Sequence, residues 1–191
     1  IVTPEAKQIA MTILADVDDT RTVLDEVNGK VQWKADDKLR VLQTHTTTDG
    51  SITTITDTYE TTIDSNDKAS FSVSFKETTA DAFSYNAIYP HSSVYESGSI
   101  ATKVKIIVKD AQTSTATSFD PEADILVSNT IESTVQPTSL NMRFARLVAL
   151  GKLTLTGLPD DAEITKVEFT AGADDILTGR NYVDATTGIV S

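Results

Sequence analysis

Apolar and polar residues alternate along much of this chain with a period of two rather than the 3.6 of a helix. From Lys7 to Val17, Ile9, Met11, Ile13, Ala15 and Val17 fall on one side, with Gln8, Thr12 and Asp16 on the other. Ala69, Phe71, Val73 and Phe75 alternate with Ser70, Ser72, Ser74 and Lys76. Phe83, Tyr85, Ala87 and Tyr89 repeat the pattern until Pro90 stops it. Val104, Ile106 and Val108 alternate with Lys103, Lys105 and Lys109, which reads as a solvated or edge strand without a ligand role. Each run predicts a strand with one buried face. Shorter strands are expected at Leu39 to Gln43 and Ile125 to Val127, and Asp25 to Gly29 is a polar turn leading into Val31-Gln32-Trp33, with Trp33 as a core or rim anchor.

Turn chemistry punctuates these runs. Asp49-Gly50 is a hairpin signal inside the threonine-dense stretch Thr44 to Thr58, and Ser97-Gly98 and Asp120-Pro121 mark further turns. Near the C-terminal end, Leu153 and Leu155 alternate with Lys152, Thr154 and Thr156, and Val167 and Phe169 with Lys166, Glu168 and Thr170. LPDDAE lies between them, so the pattern predicts a hairpin with one buried face. Leu140 to Leu150 is ambiguous, because Leu140, Phe144, Leu147 and Val148 fit helical spacing within strand-like surroundings. Residues 172–191 read as a last strand or as a lead into a further domain. About nine or ten short strands without a long helix predict an all-β fold, a sandwich in its commonest form.

Composition narrows the function classes. A chain of 191 residues holds one generous domain or two small ones. Cysteine is absent, which excludes disulfides and thiolate metal sites. The net charge of −12 argues against nucleic acid, and no apolar run approaches the ~20 residues of a membrane-spanning helix. Roughly thirty threonines supply β-branched side chains that favour strands.

Candidate chemistry is sparse. Ile13 to Thr22 ends an apolar strand in Asp16-Val17-Asp18-Asp19-Thr20, similar to the nucleophile motif of haloacid-dehalogenase-like phosphatases. There Asp16 would attack a phosphoryl group and Asp18 would serve as acid–base beside Mg²⁺. That reading is a remote alternative, because the fold it needs has a parallel sheet with crossover helices. The Asp-Asp steps at Asp36, Asp160 and Asp174 lack the alternating spacing of a calcium loop and read as solvated turns, with a weak surface calcium site left open. His45 and His91 are expected in loops, and no nucleophile elbow accompanies them. Neither a catalytic residue, a metal site nor a cofactor is assigned. Tyr85 and Tyr89 share the parity of Phe83 and are expected in the core rather than on a sugar; Tyr95 is left without a role.

The order of features resembles one family. Thr20-Arg21-Thr22 after the first strand is followed by VQWKADDKLRVL from Val31, then Tyr85-Asn86-Ala87-Ile88-Tyr89-Pro90, SFDPEADILVS from Ser118, and MRFARLVALGKLTLTGLP from Met142. The set looks like the fimbrillin-like proteins, stalk, tip or anchor subunits of the type V pili of Gram-negative anaerobes, from about Met11 to Gly188. The resemblance implies a transthyretin-like Greek-key β-sandwich. Residues 1–191 would be the N-terminal domain of a two-domain chain, exported as a lipoprotein precursor and displayed at the outer membrane or in a fimbria. It implies cleavage after Arg21 by a trypsin-like protease and departure of the first strand, with Ile9, Met11, Ile13, Ala15 and Val17 as its inward side chains. A strand donated by another pilus subunit would fill the vacated groove. The implied protein is not an enzyme but a structural or adhesive subunit. Its other partners would be host or bacterial surface ligands, and its membrane contact would come only through an anchor outside this sequence. The alternative is a surface module for glycan or host protein that never polymerises.

Overall fold

In the computed structural model, residues 6–17, 24–25, 30–66, 68–113, 118–149, 151, 153–170, 172, 177–187 and 189–190 are described. The N-terminal alternation forms strand β1 (Gln8–Val17). Two short pieces, β2 (Leu24–Asp25) and β3 (Lys30–Val31), pair with each other. The chain then builds β4 (Arg40–Thr47), β5 (Gly50–Asp57), β6 (Glu60–Ile63), β7 (Ala69–Lys76) and β8 (Ala82–Tyr89). After these come β9 (Lys103–Val108), β10 (Leu126–Ser128), β11 (Ile131–Ser133) and β12 (Ser139–Arg146). Last are β13 (Gly179–Asp184) and β14 (Ile189–Val190). The molecule is an all-β sandwich, with helical structure among the described residues confined to two single 3₁₀ turns.

The large sheet runs in the order β5-β4-β8-β10-β12-β1-β7-β6, with β11 added to β8. It folds back on itself, so that Met11, Ile13, Phe71, Val73, Phe75, Met142 and Phe144 pack against Val41, Phe83, Tyr85, Ala87 and Tyr89. Trp33 sits in this core with its ring edge-on to Phe71, Tyr89 and Phe144 at centroid distances of 5.2, 5.4 and 5.7 Å. That is the anchor role expected of it.

A second core lies on the other side of β4, β8 and β10. Leu42, Ile88 and Val127 meet Val104, Ile106 and Val183 of the small sheet β14-β13-β9. These central strands are therefore covered on both faces, which a one-faced alternation does not predict. Polar residues interrupt their apolar runs and are bonded internally. Tyr85 donates to Gln43 Oε1 at 3.1 Å, Asn86 donates to the Ser128 carbonyl at 2.6 Å, and Ser128 Oγ accepts from Ala87 N at 2.8 Å. Burial pushes the Tyr85 phenol well above its ordinary value.

Several expectations need correcting. His45 is not in a loop; it lies within β4, 6% exposed. Asp37 is no solvated turn residue: it is buried, accepting from Lys34 N at 2.7 Å and from the Tyr89 hydroxyl at 3.1 Å. The ambiguous stretch after Leu140 begins as β12, with Leu140, Met142 and Phe144 inward. The tail contains a strand, as Gly179–Asp184 pairs with Val108–Lys103. The Asp49-Gly50 hairpin forms with Thr48-Asp49 as its loop, and Gly50 opens the next strand at φ 125°.

The predicted hairpin after Gly151 does not form. Residues 153–170 carry no strand pairing, and Leu153, Leu155, Val167 and Phe169 are exposed. Two inward side chains per strand cannot hold an isolated hairpin, which needs a third strand or a surface to pack on. Replacing Leu155 and Phe169 by Ser is accordingly expected to leave stability within about 0.5 kcal/mol, whereas Phe71→Ala is expected to cost about 3–5 kcal/mol. Urea titration measures both, and a large loss from the first pair would show that this segment packs on the sandwich.

Candidate functional site

Three of the five expected inward residues of β1 converge on one place. Met11, Ile13 and Ala15 are buried in the main core, and Ile9 is half-buried. The side chain of Val17, and the whole of Asp18, Asp19 and Arg21, lie outside the described residues. The outward side chains Thr12, Leu14 and Asp16 are exposed, Leu14 at 42%.

The strand is an internal one. On one side Gln8–Ala15 runs antiparallel to Lys76–Ala69 of β7, with Met11 opposite Val73 and Ile13 opposite Phe71. On the other, Thr12–Val17 runs parallel to Ser139–Phe144 of β12. Thr12 N donates to the Thr138 carbonyl at 2.9 Å, where the parallel ladder begins. At the open end Glu77 N donates to the Lys7 carbonyl at 2.8 Å, and Lys7 Nζ meets Glu77 Oε1 at 2.7 Å. That ion pair is well exposed, so it closes the strand's end only weakly.

Removal of β1 would therefore open a slot between β7 and β12. Both walls would present unpaired backbone groups, and the floor would be apolar where Met11, Ile13 and Ala15 now sit. Burial of Met11 and Ile13 stabilises the strand by about 1.5–3 kcal/mol each, and the buried backbone groups must find new partners if it leaves. The slot would accept another alternating strand and reject a polar one. Sequence reading found β1 but not its parallel neighbour. The signal was present in the period-2 spacing of Leu140, Met142 and Phe144, masked by Leu147 and Val148 just beyond.

Among the described residues, the candidate enzymatic side chains do not converge. Asp16 projects outward from β1, opposite Arg143 in the register. His91 Nδ1 lies 3.1 Å from Asp57 Oδ2, the His–carboxylate half of a triad. Arg40 holds the same carboxylate with bonds of 2.7 and 3.1 Å. Burial alone would raise the Asp57 carboxyl, but Arg40 and His91 outweigh it and hold it below its ordinary value. Ser92, the adjacent hydroxyl, donates to Glu122 rather than to His91. No group of three or more His, Asp or Glu suited to a metal occurs among the described residues.

What the fold and this geometry define is an all-β sandwich with an N-terminal strand built into the interior of its main sheet. Compared with protein-family models, curated proteins and solved structures, the chain finds no match.

Proposed function

We propose that this protein is a fimbrillin-like subunit of a cell-surface fimbria, structural or adhesive, with a transthyretin-like sandwich that assembles by donor-strand exchange. The observation carrying this reading is the position of β1, N-terminal in sequence yet hydrogen-bonded on both sides, parallel to one neighbour and antiparallel to the other. An N-terminal strand held between two neighbours would, once cut free and released, leave a slot for strand addition. Cutting after Arg21 separates the strand from the rest of the chain. Head-to-tail donation does not close on itself and so produces a filament. The subunit works at the outer surface of the cell. No helix among the described residues is long and apolar enough to cross a membrane.

Limited trypsin digestion followed by N-terminal sequencing and electron microscopy tests the proposal. The expected result is a dominant cut after Arg21, release of the Gln8–Val17 strand and appearance of higher oligomers only in the cut material. A cut protein that keeps its first strand and stays monomeric at high concentration would overturn donor-strand assembly.

A further inference from the structure

The outer face of the small sheet carries a row of cations held on tyrosine rings. Lys103 and Lys105 project outward from β9 and Arg180 and Tyr182 from β13, with Lys105 opposite Tyr182 in the register. Tyr95 joins them from the segment beside β9, where its backbone N donates to the Lys105 carbonyl at 2.8 Å. Lys105 Nζ lies 4.9 Å from the centre of the Tyr95 ring and 5.1 Å from that of Tyr182. Lys103 Nζ is 4.8 Å from the Tyr182 ring, and the Arg180 guanidinium is 4.2 Å from Tyr95. These are cation–π distances, which fix long side chains on the sheet face without neutralising them.

The neighbouring acids are engaged elsewhere. Glu96 pairs with Arg40 at 2.7 Å. Asp184 stands opposite Lys103, but its Oδ1 accepts from Thr186 N and Thr187 N at 2.8 and 3.1 Å. Lys109, further along β9, is paired with Glu122. Among the described residues, no carboxylate lies within 4 Å of the cationic nitrogens of Lys103, Lys105 or Arg180. In a chain of net charge −12, three adjacent cations with no described carboxylate at ion-pair distance make this face a local basic row.

We infer that this face binds a linear anionic polysaccharide, its carboxylate or sulfate groups on Lys103, Lys105 and Arg180 and its hydroxyls on the phenols of Tyr95 and Tyr182. Lys103 and Lys105 stand two residues apart on one side of a strand, about 6.5–7 Å along the sheet, so the charges form a row suited to a repeating anion. Nucleic acid fits less well. Single strands gain much of their affinity by stacking bases on open aromatic faces, and here the cations occupy those faces. The inference is independent of whether the chain polymerises.

The test is binding of the whole chain to four immobilised probes: heparin as a sulfated chain, polygalacturonate as a carboxylated one, neutral dextran and oligothymidylate. Retention on heparin, polygalacturonate or both is expected, with none on dextran and weaker retention on oligothymidylate. Binding to one of the first two alone assigns the anion as sulfate or carboxylate. Affinity should fall with salt at a log–log slope of about −2, as expected for roughly three cation contacts. Lys105→Gln with Arg180→Gln is expected to lower affinity at least tenfold with an unchanged melting curve; Lys103→Gln alone should lower it several-fold. Failure of both anionic polysaccharides to bind at low salt would overturn the inference. So would unchanged binding by the variants, or oligothymidylate binding as tightly as the polysaccharides.

Discussion

A chain lacking residues 1–21 is expected not to persist as a stable folded monomer, and a synthetic peptide spanning Gln8–Val17 is expected to restore it. β1 contributes Met11, Ile13 and Ala15 to the main core and lies between two hydrogen-bonded neighbours. Losing Met11 and Ile13 alone removes about 3–6 kcal/mol of burial, against a typical total stability of about 5–15 kcal/mol. The unpaired groups on β7 and β12 add to that loss. Calorimetry and light scattering would report a collapsed melting transition and self-association of the truncated chain. The peptide should restore a monomeric complex with a transition close to that of the intact protein. A peptide carrying Ile13→Asp should not, because that position faces the floor of the slot at 0% exposure. A truncated chain that melts like the intact one would show that β1 is dispensable, and strand exchange would lose its driving force.

Why β1 was legible and other features were not follows from how each is stabilised. β1, β7 and β9 have one covered face and one exposed or half-exposed face, so their pattern survives in the sequence. β8 was visible through Phe83, Tyr85 and Tyr89, but not its second covered face, because Asn86 interrupts it, and its Nδ2 finds its partner in Ser128, 42 residues away. β6 carries one large apolar residue, Ile63, and exists because Glu60–Ile63 pairs with Ser72–Ala69. Its existence is a consequence of β7 rather than of its own composition. His45 looked like a loop residue among threonines, yet β4 is an interior strand and carries it into the protein. The opposite failure is residues 153–170, where strict alternation exists without a surface to receive it. Periodicity reports which face would be buried, not whether anything is there to bury it. The same limit governs the basic row. Lys103 and Lys105 were visible as an outer face, but Tyr95, Arg180 and Tyr182 reach it only through sheet pairing between distant segments.

The second large effect is expected at Arg146, at the end of β12. Its guanidinium donates to Asp124 Oδ1 at 2.6 Å and to Asp124 Oδ2 at 2.9 Å, a bidentate pair. The Asp124 side chain is 0% exposed and that of Arg146 19%, so the partners are not equivalent. Beside them Leu147 N donates to the Ile125 carbonyl at 2.9 Å, tying the approach to β10 to the end of β12. Arg146→Met would leave a buried carboxylate without its cation and is expected to cost about 3–5 kcal/mol. Asp124→Asn should cost less, because a guanidinium that already reaches solvent can hydrate, while the amide keeps hydrogen-bonding capacity in the buried position. The double variant should recover part of the Arg146→Met loss, since no unpaired charge remains inside. Urea unfolding of the three variants gives the ordering directly. Equal costs for the two single variants, or a loss below about 1 kcal/mol for Arg146→Met, would mean that this pair behaves as a surface ion pair and does not fasten β10 to the strand beside the β1 slot.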